Sequence, residues 1–330
     1  MIDLHSHILP GIDDGATNLG VALEMARIAT TNGVTIQACT PHIFPGVFNN
    51  TGNQIRSGTL ELQHHLDVHG IPLYLVAGAD AHVVPNMVVG LRGGNILSLA
   101  DTRYVLVEPP HHVAPPGIER FFFELLAAGY VPILTHPERL AWIETHYAIF
   151  VKLFRAGVWM QITSGSLIGA FGRRPRYWAE RMLNEALVHV LASDAHGVRS
   201  RRPDLAEGRA VAAKWLGEEE AEQLVYIRPR AVLENAEPSE VSRPGGTAKS
   251  FVSLVHDEAE RRSGFRQSRQ SIGRHDGDVG NCIGHKEGCG FSDRLNRFFR
   301  SGKAPDHQII AGGRCRLLQV ISRFLPGLAK

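Results

Sequence analysis

Apolar residues gather in seven short runs along the first part of the chain, at 1–4, 35–38, 73–77, 104–107, 131–134, 158–162 and 188–192. None of the runs alternates strictly between apolar and polar positions. Strands buried on both faces have that character, and parallel sheets are built from them. Between the runs lie stretches with apolar residues at helical spacing. They cover 18–30 behind an Asp-rich cap, 117–128, 147–156, and 176–187 behind a proline. Gly33, Gly70, Gly129 and Gly157 stand where helices should end. Seven strand–helix repeats predict an α/β fold, either a (β/α) barrel or a doubly wound parallel sheet.

Charge divides the chain. The total is a net +2, but residues 243–330 hold 16 Lys and Arg against 8 Asp and Glu, a net +8, and residues 1–242 are therefore at −6. Three of the four cysteines also lie beyond residue 242. We read 1–242 as the folded domain. Residues 243–330 form a basic tail rich in Gly, Arg and Ser, with too little apolar sequence for a core of its own, and this tail is expected to be disordered. Within it, Cys282, His285 and Cys289 make half a zinc site, and 315–328 has the pattern of a basic amphipathic helix. The near-neutral total suggests no obligate nucleic-acid partner. The sequence shows neither a signal peptide nor an apolar run long enough to span a membrane. Sparse cysteine fits a reducing compartment, so a cytoplasmic location is expected.

Chemistry-bearing residues follow the apolar runs. His5 and His7 come directly after the first, two apart, so that both imidazoles of a strand end point to one side. Asp13-Asp14-Gly15 follows in the next loop, with the reading of a turn and helix cap. His42 follows the second run, Asp80 and His82 the third, and Glu108 the fourth. His136, in Thr-His-Pro-Glu-Arg139, follows the fifth, and Asp194 and His196 follow the last. In a barrel these positions meet at the C-terminal rim of the strands. Histidine mixed with carboxylates, with no nearby thiol except Cys39, suits Mn, Fe or Zn rather than a structural thiolate site. Cys39 reads as a packing residue. Nine donors, His5, His7, Asp14, His42, Asp80, Glu108, His136, Asp194 and His196, suffice for two or three ions. A multinuclear site of this kind points to phosphate-ester hydrolysis by an activated water.

The segments HSHILPGIDDGATN, TPHIFPG, THPER and SDAHGVRSRRP resemble the polymerase-and-histidinol-phosphatase superfamily. More narrowly they are similar to the CpsB/YwqE-type manganese-dependent protein-tyrosine phosphatases of bacterial capsule and exopolysaccharide systems. The resemblance covers about 1–238 and includes the closing IRPRAVLENAEP. It implies a distorted (β/α)7 barrel with manganese at the rim. His5, His7 and Asp194 would hold one ion, Glu108 and His136 a second, and Asp14, His42 and His196 a third. The bridging acid, a glutamate in that family, is matched here by Asp80, one methylene shorter; His82 is a fallback ligand whose expected part is to orient a ligand. Arg139 and Arg201 match the phosphate-binding arginines, with Arg199 and Arg202 as rivals for the second role.

The substrate implied is phosphotyrosine on a tyrosine autokinase of polysaccharide assembly. A phenolate leaving group, with a pKa near 10, needs little protonation; a metal-bound water, or His42 if it is not fully committed as a ligand, could supply a proton. The alternatives are a phosphatase of small molecules such as histidinol phosphate, and a phosphotyrosine-capturing regulator with slow turnover. No Cys-x5-Arg loop is present, so a cysteine nucleophile is excluded.

Overall fold

The computed structural model describes residues 1–247. Nine short strands, all paired in parallel, come in the order β1 (Ile2–Asp3), β2 (Ile36–Cys39), β3 (His42–Ile43), β4 (Tyr74–Ala77), β5 (Asp80–His82), β6 (Tyr104–Glu108), β7 (Val131–Thr135), β8 (Trp159–Thr163) and β9 (Val190–Ala192). Two of the breaks are only local. Ile36 is in register with Tyr74, and His42 with Asp80, at the same offset. Gly78 N–H donates to Cys39 O at 3.0 Å and Asp80 N–H to Pro41 O at 3.2 Å, so the ladder carries across the gap. β2 with β3, and β4 with β5, are therefore two bent strands, and the first bends at Pro41, which has no N–H to give.

The ring closes between first and last strands. Asp194 N–H donates to His5 O and His7 N–H to Ala195 O, both at 2.9 Å, around a parallel bridge of Ser6 and Ala195. Seven strands thus form a (β/α)7 barrel, and the doubly wound sheet is excluded.

The strand ends needed correction. β6, β7 and β8 run to Glu108, Thr135 and Thr163, each one residue past its apolar run. A polarity criterion stops at a polar residue, whereas the ladder continues to the rim, where the inward face is polar. β3 and β5 were not anticipated for the same reason, since His42, Asp80 and His82 occupy them.

The helices pack outside. Asn18, not an aspartate, caps Leu19–Thr31 by accepting the Val21 N–H at 3.1 Å. Gly52–Val68 begins at a capping box of Thr51 and Gln54 and turns Ile55, Thr59, Leu62 and Leu66 inward. Ile143–Ala156 starts earlier than its pattern suggested and ends at Gly157, whose φ of +104° only glycine adopts easily. The helix predicted at 176–187 runs over Arg173–Asn184.

Inside the barrel, Ile2, Leu4, Ala38, Val76, Tyr104, Leu106, Ile133, Trp159 and Val190 make a dry cluster closed from below by Val232. Tyr104 and Leu106 share a face with Glu108, because strand side chains repeat every second residue. Asp80 is in register with Leu106, and His42 with Asp80. The candidate residues are therefore the topmost layer of the same inward face.

The segment after the last strand closes the other end. Arg228, wholly buried, pairs with Glu220 at 2.7 and 3.1 Å and donates to the carbonyls of Ser242 and Arg243 at 2.9 Å. Asn235, at φ +56°, accepts the Arg103 N–H at 2.8 Å, and Tyr104 Oη–H donates to Ala236 O at 2.9 Å. Pro244 is buried as well, so the residues on either side of the compositional boundary at 242 both pack here. The Cys282/His285/Cys289 and 315–328 expectations fall outside the described residues.

Candidate active site

All nine proposed donors meet at the C-terminal end of the barrel. His5 Nδ1 lies 2.9 Å from Gln161 Oε1, and His7 Nδ1 lies 2.7 Å from Asp13 Oδ2. Both partners are acceptors, so each Nδ1 carries a proton, and the two Nε2 atoms face each other across 3.2 Å. Asp194 Oδ1 sits 3.3 and 3.4 Å from those nitrogens, and Asp80 Oδ2 is 3.5 Å from His5 Nε2. On the next side, Asp14 Oδ1 lies 3.5 Å from His42 Nε2 and 3.4 Å from His196 Nε2. On the third, Glu108 Oε1 lies 3.5 Å from His136 Nε2 and 2.9 Å from His111 Nε2. Glu108 Oε2 faces His82 Nε2 at 2.5 Å and His42 Nδ1 at 3.2 Å. Four sets of donor atoms lie within 4.8 Å of one another: His7/Asp14/His42/His196, His5/His7/Asp80, His42/His82/Glu108 and Glu108/His111/His136.

The backbone is bent to reach this arrangement. His136, Asp194 and Arg201 have φ of 35°, 51° and 47°. Left-handed backbone at non-glycine residues costs energy and concentrates at functional sites. Gly15 is required by close approach, since a Cβ there would stand 2.0 Å from His7 O. Its N–H donates to Asp13 Oδ1 at 2.9 Å, while Asp13 Oδ2 also accepts the His42 N–H at 3.0 Å. The Asp-Asp-Gly loop is thus more than a turn. Asp13 orients His7, and Asp14 faces the centre.

Charge density is high and incompletely paired. Asp80 Oδ2, Glu108 Oε2, Asp194 Oδ1, His42 Nδ1 and His196 Nε2 are buried and make no hydrogen bond. Burial opposes protonation of His5, yet the Asp194 and Asp80 carboxylates push its pKa up to about 9. His42 also rises to about 9 against burial, held by Glu108 and Asp80. His196 falls to about 4, through burial and the neighbouring His7. Burial, followed by Arg139, lowers His136 well below the usual range. Carboxylates and imidazoles that converge without hydrogen bonds need positive charge between them. Divalent cations with mixed N and O preference fit this donor set.

Two guanidinium groups stand beside the centre. Arg139 Nη1 contacts Asp194 Oδ2, and Arg201 Nη2 donates to the same oxygen at 2.7 Å. Arg201 Nε is buried with no partner. Arg199 and Arg202 are exposed, whereas Arg201 is half-buried. Three half-buried phenyl rings flank the opening. Phe44 stacks on His82 with centroids 3.8 Å apart, Phe48 on His42 at 5.4 Å, and Phe171 lies 4.5 Å under the Arg139 guanidinium. Cys39 is fully buried and burial pushes its thiol up to about 12, consistent with packing alone.

Asp13, Gln161 and His111 escaped the sequence reading. Asp13 looked like a cap, and Gln161 sits mid-strand with no motif. His111 carried a weak signal, as a histidine three residues beyond a strand-end glutamate.

The family model for capsular polysaccharide synthesis, CpsB/CapC, matches residues 1–234. The chain is 36% identical over 237 residues to the tyrosine-protein phosphatase YwqE of Bacillus subtilis, covering 72% of this chain and 90% of that protein. It is 28% identical over 244 residues to the tyrosine-protein phosphatase CpsB of Streptococcus agalactiae, covering 71% and 99%. A chain from the crystal structures of YwqE from Bacillus subtilis and CpsB from Streptococcus pneumoniae, described as unique metal-dependent tyrosine phosphatases, superposes with a TM-score of 0.70. That alignment has 34% identity and covers 75% of this chain and 99% of the other. On the match of its first 234 residues and the shared fold, the chain belongs to the CpsB/CapC family.

Proposed function

We propose that this protein is a metal-dependent protein-tyrosine phosphatase that hydrolyses phosphotyrosine on a tyrosine autokinase of polysaccharide assembly, in the cytoplasm, with manganese as its ion. The observation that carries the reading is the convergence, at one barrel rim beside two arginines, of buried carboxylates and imidazoles several of whose oxygen and nitrogen atoms make no hydrogen bond. His5, His7, Asp80 and Asp194 would hold one ion, Glu108 and His136 a second, and Asp14, His42 and His196 a third. Bound ions would supply Lewis acidity and lower the pKa of water. No helix among the described residues is long and apolar enough to cross a membrane.

The chain's own groups do the rest. Gln161 and Asp13 fix the tautomers of His5 and His7. Arg139 and Arg201 are placed to receive the phosphoryl oxygens, where planar guanidinium groups pair bidentately and stabilise charge that grows in the transition state. Both ring nitrogens of His42 face carboxylates, so its commitment is to the centre. A phenolate leaves with little need of a proton. Phe44, Phe48 and Phe171 give the opening aromatic walls, which favour an aryl phosphate over an aliphatic one.

The folded unit is proposed to be 1–242 together with the few residues that dock on Arg228. A chain ending at Thr247 should keep the activity of the whole.

The test is turnover after loading with Mn, Fe or Zn, comparing p-nitrophenyl phosphate, a phosphotyrosine peptide and histidinol phosphate. Phosphotyrosine should be hydrolysed fastest. Preference for histidinol phosphate would establish the small-molecule reading. Tight phosphopeptide binding without turnover would establish a capturing regulator.

A further inference from the structure

We infer that His111 is a third protein ligand of the ion held by Glu108 and His136, an inference that rests on the metal-dependent reading above. His111 Nε2 lies 2.9 Å from Glu108 Oε1, on the oxygen that also faces His136 Nε2, and the two imidazole centroids are 5.1 Å apart. The three donor atoms form a group of their own within 4.8 Å.

The position of His111 is built in rather than left to a wandering loop. Its carbonyl accepts the Ala141 N–H at 2.8 Å, and the Pro110 carbonyl just before it accepts the Trp142 Nε1–H at 2.9 Å. The loop after β6 is thereby fastened to the loop after β7, and His136 belongs to that second loop. Glu108 and His136 are almost wholly buried, whereas the His111 side chain is 30% exposed. An ion held by this set would be approachable from the solvent side, where His111 is part-exposed, as catalytic sites require.

Asp80, which the resemblance would make the bridge between two ions, lies on the side of His5 and His42 rather than beside this pair. Its Oδ2 faces His5 and His42 at 3.5 Å, its Oδ1 accepts from Thr135 Oγ1 at 3.4 Å, and it shares no donor group with Glu108 or His136. Nor does His82 take the third place. That imidazole contacts the other oxygen of Glu108 and is stacked under Phe44, which suits it to orienting the carboxylate.

The experiment uses the full chain freed of metal and titrated by equilibrium dialysis with Mn²⁺ and, separately, Co²⁺. Bound equivalents, the visible Co²⁺ spectrum and the melting temperature of the metal-free protein are measured. His111→Ala should bind one tight equivalent fewer than the wild type and lose one component of the Co²⁺ spectrum. Its metal-free melting temperature should change little, because the bonds that fasten the loop go to the backbone carbonyls of Pro110 and His111, which alanine keeps. His82→Ala should keep the full number of equivalents, with affinity lowered by about 10–100-fold at one of them. If His111→Ala keeps every equivalent and an unaltered Co²⁺ spectrum, the assignment is overturned. It is equally overturned if only the metal-free melting temperature falls. A wild-type chain that binds no ion at all would overturn the wider metal-dependent reading, an outcome separate from either of these.

Discussion

The two ends of the barrel bury charge in opposite ways. At the N-terminal end, Arg228 is surrounded by acceptors: Glu220 on two nitrogens and the Ser242 and Arg243 carbonyls on two. At the C-terminal end, carboxylate oxygens of Asp80, Glu108 and Asp194 sit buried without a hydrogen bond. Both ends place ionised groups away from water, which is costly unless the charges are matched. The first end solves the problem within the chain. The second leaves it to be solved by something the chain binds. Satisfied buried charge is architecture, and converging unsatisfied charge is a binding site.

The largest expected effect lies at the unsatisfied end. His136→Ala and Asp194→Ala each remove a donor from the cluster proposed to hold cations. Both variants should lose bound metal and about three orders of magnitude or more of turnover, since an ion supplies several kcal/mol of transition-state stabilisation. Metal analysis beside p-nitrophenyl phosphate kinetics checks this. Retention of full metal content in both variants would erase the contrast between the two ends.

Arg228→Met tests the other end, through stability. It should leave the Glu220 carboxylate half-buried and the Ser242 and Arg243 carbonyls without their donor, costing about 3–5 kcal/mol in chemical denaturation. Metal content per folded molecule should be unchanged, because Arg228 touches none of the donors. A loss of metal from protein that remains folded would mean that the ends are coupled.

Much of this division was legible in the sequence. Short non-alternating apolar runs gave the strands, and each donor followed its run because a barrel rim collects strand ends. Some of it was not. The strand ends at Glu108, Thr135 and Thr163 were missed because polar residues there still belong to the ladder. Asp13 looked like a helix cap because carboxylate–glycine turns and histidine-orienting loops share a local sequence. Gln161 meets His5 across 156 residues, which spacing along the chain does not report; His111 stands three residues beyond its partner Glu108, but its approach to His136 was not legible. The left-handed backbone of His136, Asp194 and Arg201 is likewise imposed by the assembled site. The C-terminal closure through Asn235 was visible as a motif, but its partner Arg103 was not.

Arg139 and Arg201 lie between the two cases, because each is paired with Asp194 and still borders the opening. The sequence reading had them touching phosphate alone. Their contact with Asp194 adds a second duty, which is to hold a carboxylate in place. Arg139→Ala should therefore lower kcat by about 10²–10³ through the lost donor. It should also weaken metal binding by about 10–100-fold, the usual cost of losing a group that orients a ligand. Arg139→Lys should recover the metal affinity better than the rate, since an ammonium supplies charge without the bidentate fork. Calorimetric titration with Mn²⁺ and steady-state kinetics separate the two losses.

The smallest effect concerns His189, near the satisfied end. Its ring stacks on Trp159 at 4.7 Å, and its Nδ1 accepts the Met160 N–H at 3.1 Å. Burial, and then the Arg228 charge, hold its pKa well below the usual 6.5. The folded state therefore keeps this imidazole neutral, while the unfolded chain takes up a proton as the pH drops through about 6.5. Below that point the unfolded state binds more protons, so stability must fall as pH falls. The contribution of this one group between pH 6.5 and 5.5 is about 1 kcal/mol. Histidines of the active site titrate as well, so the comparison is with His189→Asn, whose side-chain oxygen can still accept from Met160. The variant should be less stable at pH 8 because the stack is lost, but its stability should fall less steeply on acidification. Urea denaturation of both proteins at a series of pH values gives the difference. Equal slopes from pH 6.5 to 5.5 would show that His189 is not held neutral, and that the satisfied end has a charge to spare.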